Sequence, residues 1–136
     1  MSDTGDQDSP VLWDVVVSDL AEDDLGDAYR YIAGFTGTER AQEWVEDFYR
    51  TLYELALFPG PYANARDERA SAFAGRETRR LLYRGSRKRP TKTAYKAYYL
   101  VTPPAEGENE GTILIYRILH GASNWPDEIL DDEDDS

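Results

Sequence analysis

Hydrophobic positions in this chain recur first with period two, then with a period of about 3.6, then with period two again. The stretch "LWDVVVS", Leu12 to Ser18, is short, β-branched and bounded by polar residues, and it predicts a strand. "DLAED" follows, with Asp19 and Glu22 at capping-box spacing, Asp standing where Ser or Thr is usual. The helix opened there carries Leu25, Ala28, Tyr29 and Ile32 on one face, and "GFTG" ends it. A second helix begins near Thr38. Its apolar residues Ala41, Trp44, Val45, Phe48, Leu52 and Leu55 keep helical spacing until "FPGP", where proline stops it.

From Pro59 to Glu77 the signals are weak and predict a loop with no more than a helical turn. Three strand-like runs come next, "RRLLY", "AYKAYYLV" and "GTILIYRIL". In the second, Tyr95, Ala97, Tyr99 and Val101 share one face, with Lys96, Tyr98 and Leu100 on the other. Strict alternation in the third puts Ile113, Ile115, Arg117 and Leu119 opposite Leu114, Tyr116, Ile118 and His120. Both faces are largely apolar, as in a central strand. "RGSRKRPTKT" and "PPAEGENEG" are the connecting loops of two antiparallel hairpins. The expected fold class is α+β: two N-terminal helices packed on one face of a small, mainly antiparallel four-stranded sheet, in the order β-α-α-β-β-β. The other face stays partly open, and function is expected there.

Length and composition bound this picture. With 136 residues, the chain makes one core. A single domain is expected over 11–125, between disordered acidic tails at 1–10 and 126–136, the latter reading "PDEILDDEDDS". No cysteine is present, which excludes disulfides, thiolate metal sites and cysteine nucleophiles and favours a reducing compartment. "MSDTGDQDSP" is neither a signal nor a transit peptide. No apolar run approaches the roughly 18 residues needed to span a bilayer. Together these point to the cytoplasm, with no membrane partner and no cofactor.

The formal net charge is −12, which argues against general or sequence-specific DNA binding by this chain. Yet from Thr78 to Ala105 there is no acidic residue, while Arg79, Arg80, Arg84, Arg87, Lys88, Arg89, Lys92 and Lys96 all fall there. That strip reads either as a solvated loop or as a binding surface, which the acidic C-terminal tail could fold onto and mask. Arginine outnumbers lysine and aspartate is abundant, a balance that keeps proteins soluble in a salty cytoplasm. The acidity then has two readings, a saline host or self-masking of the basic hairpin.

Three segments carry a likeness: the helix pair ending in "LALFPGP", the strand start "RRLLY", and the final "YRILHGASNW". In this order they resemble the RelE/ParE superfamily of type II toxin–antitoxin toxins, over roughly Trp13 to Trp125, and its ParE-like subgroup in particular. Many such members end the last strand with arginine, two aliphatics and "HGARDW". Arg117, Ile118, Leu119, His120, Gly121, Ala122 and Trp125 match that pattern, and Ser123 and Asn124 depart from it. The resemblance implies a small toxin neutralised by a cognate antitoxin. Its target would be either DNA gyrase, poisoned without bond breaking, or mRNA, cut in the ribosomal A site. A relative that has lost toxicity and survives as a binding module is a further alternative, made credible by Ser123 and Asn124.

Metal-free RNA cleavage needs a cation at the scissile phosphate, a group that activates the 2′-hydroxyl and an acid for the leaving oxygen. Arg80, Arg117 and His120 are the catalytic candidates if the chain is a nuclease. The alternative is structural. His120 then fixes the turn at Gly121, and Arg117 pairs with a helix carboxylate such as Asp47 or Glu54. For target binding the candidates are Arg79, Tyr83, Arg84, Arg87, Lys88, Arg89 and Tyr99, with the tyrosines able to stack on a base. Tyr29, Tyr31, Tyr49 and Tyr53 are the antitoxin-binding candidates, being more tyrosine than a small helix pair needs for packing. A chain at −12 is repelled by ribosomal RNA at long range, which favours a protein target.

Overall fold

The computed structural model describes residues 11–86 and 90–121. Its elements are β1 (Leu12–Val17), α1 (Asp19–Thr36), α2 (Thr38–Tyr53), α3 (Glu68–Ala74), β2 (Thr78–Gly85), β3 (Pro90–Thr102) and β4 (Glu110–His120). Short 3-10 turns at Glu54–Ala56 and Pro61–Ala63 lie between α2 and α3. The four strands form one sheet in the order β1-β4-β3-β2. β1 runs parallel to β4, and β4–β3 and β3–β2 are antiparallel. This is the expected α+β architecture, with α1 and α2 on one face.

Residue choice explains each boundary. In β1, Trp13, Val15 and Val17 turn inward while Leu12, Asp14 and Val16 stay exposed, the alternation of a half-buried strand. The cap of α1 is Ser18, one residue before the expected Asp19: its Oγ accepts from the Ala21 amide at 3.0 Å. Asp19 and Glu22 sit in the first turn, where carboxylates favour the helix dipole. Gly37, at φ 90°, joins α1 to α2 as a one-residue link, and the two helices pack as an antiparallel hairpin. Ala21, Leu25, Ala28 and Ile32 of α1 meet Ala41, Trp44, Phe48 and Leu52 of α2 in the core.

The main core lies between this hairpin and the sheet. Phe48 stacks on Tyr83 with ring centroids 4.1 Å apart, and Trp44 meets Tyr83 and Tyr95 edge-on at 5.5 and 5.2 Å. Burying each such ring stabilises the fold by about 1.5–3 kcal/mol.

Two features depart from the sequence reading. The stretch expected as a loop holds α3, a seven-residue helix capped by Asp67, whose side chain accepts from the Ala70 amide at 2.9 Å. It covers part of the sheet face opposite α1 and α2, where Ala70 packs against Tyr98. The other departure is in β4. Tyr98 pairs with Arg117 but Tyr99 pairs with Ile115, so β4 carries one extra residue there, a β-bulge. The face alternation therefore changes phase. Ile118 joins Ile113 and Ile115 in the main core, while Tyr116 and Leu119 pack with Tyr98 on the opposite face.

Candidate functional site

The bulge decides where the last strand's chemistry goes. Arg117 turns to α1 and forms a two-pronged ion pair with Asp24: Nε to Oδ2 at 2.9 Å and Nη2 to Oδ1 at 3.1 Å. The Ile118 amide also donates to Asp24 Oδ2 at 2.8 Å. One carboxylate thus holds both the guanidinium and the backbone beside the bulge. An arginine–carboxylate pair was expected for Arg117, and Asp24 is the acid that supplies it. Asp47 is engaged elsewhere, pairing with Arg50 and accepting from the Tyr83 hydroxyl at 2.6 Å.

His120 ends β4, opposite Tyr95 in the register. Its ring meets Tyr95 edge-on at 5.5 Å and Tyr31 of α1 at 6.2 Å. The next residue, Gly121, donates its amide to the Ala94 carbonyl at 2.6 Å. A Cβ on Gly121 would come within 2.9 Å of that same oxygen, so the close approach of the two backbones needs glycine.

Arg80 lies on the other face. It reaches Asp67 Oδ2 at 3.4 Å and the Tyr98 hydroxyl. Tyr116 donates to Thr78 Oγ1 at 3.4 Å beside them. Burial pushes the Tyr98 hydroxyl up; the Asp67 charge adds to this and the Arg80 charge opposes it. Tyr116 is also raised, chiefly by burial. So Arg80 shares a tyrosine-lined face with α3, while Arg117 and His120 reach towards α1. The three catalytic candidates do not converge.

Of the target-binding candidates, Tyr83 and Tyr99 sit inside the core instead of facing outward, at 3% and 0% exposure. The Tyr99 hydroxyl donates to the Pro61 carbonyl at 2.5 Å, and burial followed by the Asp47 hydrogen bond raises Tyr83 far above the ordinary tyrosine range. Neither ring can stack on a base in this fold. Arg79 donates to the carbonyls of Tyr62 and Asn64 at 3.2 and 2.5 Å and lies 5.0 Å from the centre of the Tyr62 ring. It fastens the segment before α3. Arg84 is exposed, on the face of Arg80 by strand alternation. Arg87, Lys88 and Arg89 lie outside the described residues, as do Ala122 to Trp125 and both acidic tails.

The four antitoxin-binding candidates form two separate groups. Tyr49 and Tyr53 stack along α2, with centroids 6.4 Å apart, and Tyr29 is half-buried on α1. Tyr31 pairs instead with Phe35, at 5.0 Å, beside His120. Phe35, Leu57, Phe58 and Tyr62 are exposed apolar residues that the sequence reading did not single out, Phe58 at 99%. They fall in "GFTG" and just around "FPGP", where glycine and proline drew attention to the chain's turns and away from the aromatic beside them.

Among the described residues no group of three or more His, Asp or Glu side chains gathers to hold a metal. Nor is any described helix long and apolar enough to cross a membrane. The family described as "ParE toxin of type II toxin-antitoxin system, parDE" matches residues 15–125. No curated protein matches the chain.

Proposed function

The chain belongs to the ParE toxin family of type II toxin–antitoxin systems, and from that premise we propose that it is a cytoplasmic toxin that inhibits a protein target such as DNA gyrase by occupancy. A cognate antitoxin neutralises it by covering exposed aromatic residues of the helix hairpin, Tyr53 and Tyr31 foremost. The observation that carries this reading is the separation of Arg80 from Arg117 and His120. A metal-free nuclease needs its phosphate-binding cation and its proton-transfer group within reach of the same bond. Here Arg117 is bound to Asp24, and Arg80 lies on the face that carries Tyr98. The basic residues on that open face, Arg80 and Arg84 among those described, then serve target binding.

The test is induction of the chain in bacterial cells, with and without the gene beside it, followed by a supercoiling assay with purified gyrase. Growth arrest relieved by the neighbouring gene, with supercoiling inhibited, is the expected outcome. Cleavage of mRNA on programmed ribosomes, lost in Arg80→Ala, would replace this reading with the endonuclease. No growth arrest at any expression level would leave a binding module.

A further inference from the structure

Most of the chain's net charge lies in its two end segments. Seven acids and no cation fall in residues 126–136, and three acids and no cation in 1–10, so the two carry ten of the twelve net negative charges. Residues 11–125 are close to neutral, and eleven of their fifteen cations fall between Arg66 and Lys96.

On the open sheet face the register builds an apolar row with a cation at its centre. Lys96 of β3 stands opposite Leu82 of β2 on one side and Leu119 of β4 on the other. Leu82 is 47% exposed, and Arg84, two residues on, is exposed on the same face. Arg30, Arg50, Arg66, Arg79, Arg80 and Arg117 are each bound to a carboxylate. Among the described residues, Arg84 and Lys96 are in no ion pair. Apolar surface and uncompensated charge therefore lie side by side here.

Strand β4 delivers the C-terminal segment to this patch. Gly121 follows its last residue and donates its amide to Ala94, two residues before Lys96. A strand spacing of about 4.8 Å and a rise of about 3.3 Å per residue put Leu82 roughly 12 Å from Gly121. Residues 122–128 can span up to about 23 Å, so Ile129 and Leu130 reach the row with length to spare for a turn. The N-terminal acids have no such access, because β1 begins opposite Glu110, about 30 Å away along β4. In "PDEILDDEDDS" the apolar pair Ile129 and Leu130 stands between Asp127, Glu128 and Asp131, Asp132. Its pattern is the complement of the patch.

We propose that residues 126–136 cover this patch in cis, with Ile129 and Leu130 against Leu82 and Leu119 and the flanking carboxylates facing Lys96 and Arg84. The segment thereby competes with whatever the open face binds. That consequence rests on the target-binding reading above; the contact itself does not. Tethering sets an effective concentration on the order of millimolar, so a contact too weak to matter between separate molecules is occupied much of the time within one. Salt screens the charged part of the contact, so occupancy falls as salt rises.

The chain has no cysteine, so Ser136→Cys gives a nitroxide label one point of attachment. In the labelled full chain, the amide NMR signals of Leu82, Arg84, Lys96 and Leu119 should lose intensity, and those of Leu12 and Glu110, at the far end of the sheet, should not. The loss should shrink at high salt. R84E/K96E should restore the four signals, and so should the neutralised segment D131N/D132N/E133Q/D134N/D135N. The second set leaves every residue of the sheet in place, so it decides the matter if the first variant does not fold. Broadening that is absent from the four amides, spread evenly over the sheet, or kept with the neutralised segment overturns the proposal.

Supercoiling inhibition and growth arrest separate the consequence from the toxin reading. The neutralised chain should inhibit at about threefold lower concentration, the gain expected when the segment occupies the face about two-thirds of the time. Unchanged inhibition with the four signals restored overturns the competition. A chain that never arrests growth overturns the toxin reading, while the NMR signals still decide the contact.

Discussion

Asp24 and Arg117, 93 residues apart in sequence, are joined by two hydrogen bonds, and the same carboxylate takes the Ile118 amide. The Asp24 side chain is 9% exposed and that of Arg117 is 20%. Removing one member of such a pair strands the other's charge. Asp24→Ala and Arg117→Ala should each cost about 3 kcal/mol in urea unfolding. The apolar double variant Asp24→Leu/Arg117→Met should recover much of that, a coupling of about 1–3 kcal/mol in the double-mutant cycle. Additive losses would mean that the pair is not coupled. In cells the double variant should still arrest growth, because Arg117 is spent on the fold.

His120 and Gly121 divide the roles of the final motif differently from what their chemistry suggests. His120 is an exposed strand-end ring against Tyr31 and Tyr95, so His120→Ala should cost less than about 1 kcal/mol and leave growth arrest intact. Gly121→Ala must push the Ala94 carbonyl away and should lose about 1–3 kcal/mol. Thermal melts of the two variants decide it. A larger loss for His120→Ala would restore a special role to the histidine.

These two residues also mark what the sequence could tell. The helix period put Leu25, Ala28, Ile32, Trp44 and Phe48 on the faces that are buried, because burial of one face is written into spacing, while strand alternation put Tyr95, Ala97 and Tyr99 on one face without marking it as the core. The bulge was not legible. One extra residue in β4 leaves no mark in an apolar run such as "ILIYRIL", where either phase buries isoleucine or leucine. Helix α3 was missed because it buries only Ala70 and Ser71, too little for a periodic signal. The fates of Tyr83 and Tyr99 followed the same logic: their alternation was readable, but tyrosine serves equally in a core and at an interface. Only the hydroxyl partners, Asp47 and the Pro61 carbonyl, decide between them.

Trp13 and Gly111 are neighbours across the parallel β1–β4 pair, and the indole lies over the glycine. A Cβ at 111 would stand 2.4 Å from Trp13 Cζ3 and 2.8 Å from the Thr102 carbonyl. Gly111→Ala should therefore destabilise by about 2 kcal/mol. In a Trp13→Ala background the loss should shrink without vanishing, since the Thr102 oxygen remains. Denaturant midpoints of the four proteins measure this, and an unchanged loss would move the clash wholly to Thr102.

Alkaline pH tests the tyrosine network as a whole. Burial raises Tyr83, Tyr95, Tyr98, Tyr99 and Tyr116 above the ordinary value of 10.0. At pH above about 10 the unfolded chain releases protons that these folded hydroxyls keep, so the folded state holds more protons and stability falls as pH rises. Below that pH both states are protonated and the contribution is fully present. Unfolding midpoints should then be flat with respect to these groups up to about pH 9 and decline steeply beyond it. Tyr83→Phe removes one such group, so it should flatten the decline while lowering stability at neutral pH through loss of the bond to Asp47. In the folded protein, absorbance at the tyrosinate band should rise for only part of the ten tyrosines until unfolding releases the rest. A full rise before any loss of circular dichroism would show that water reaches these hydroxyls, and the buried network would not hold.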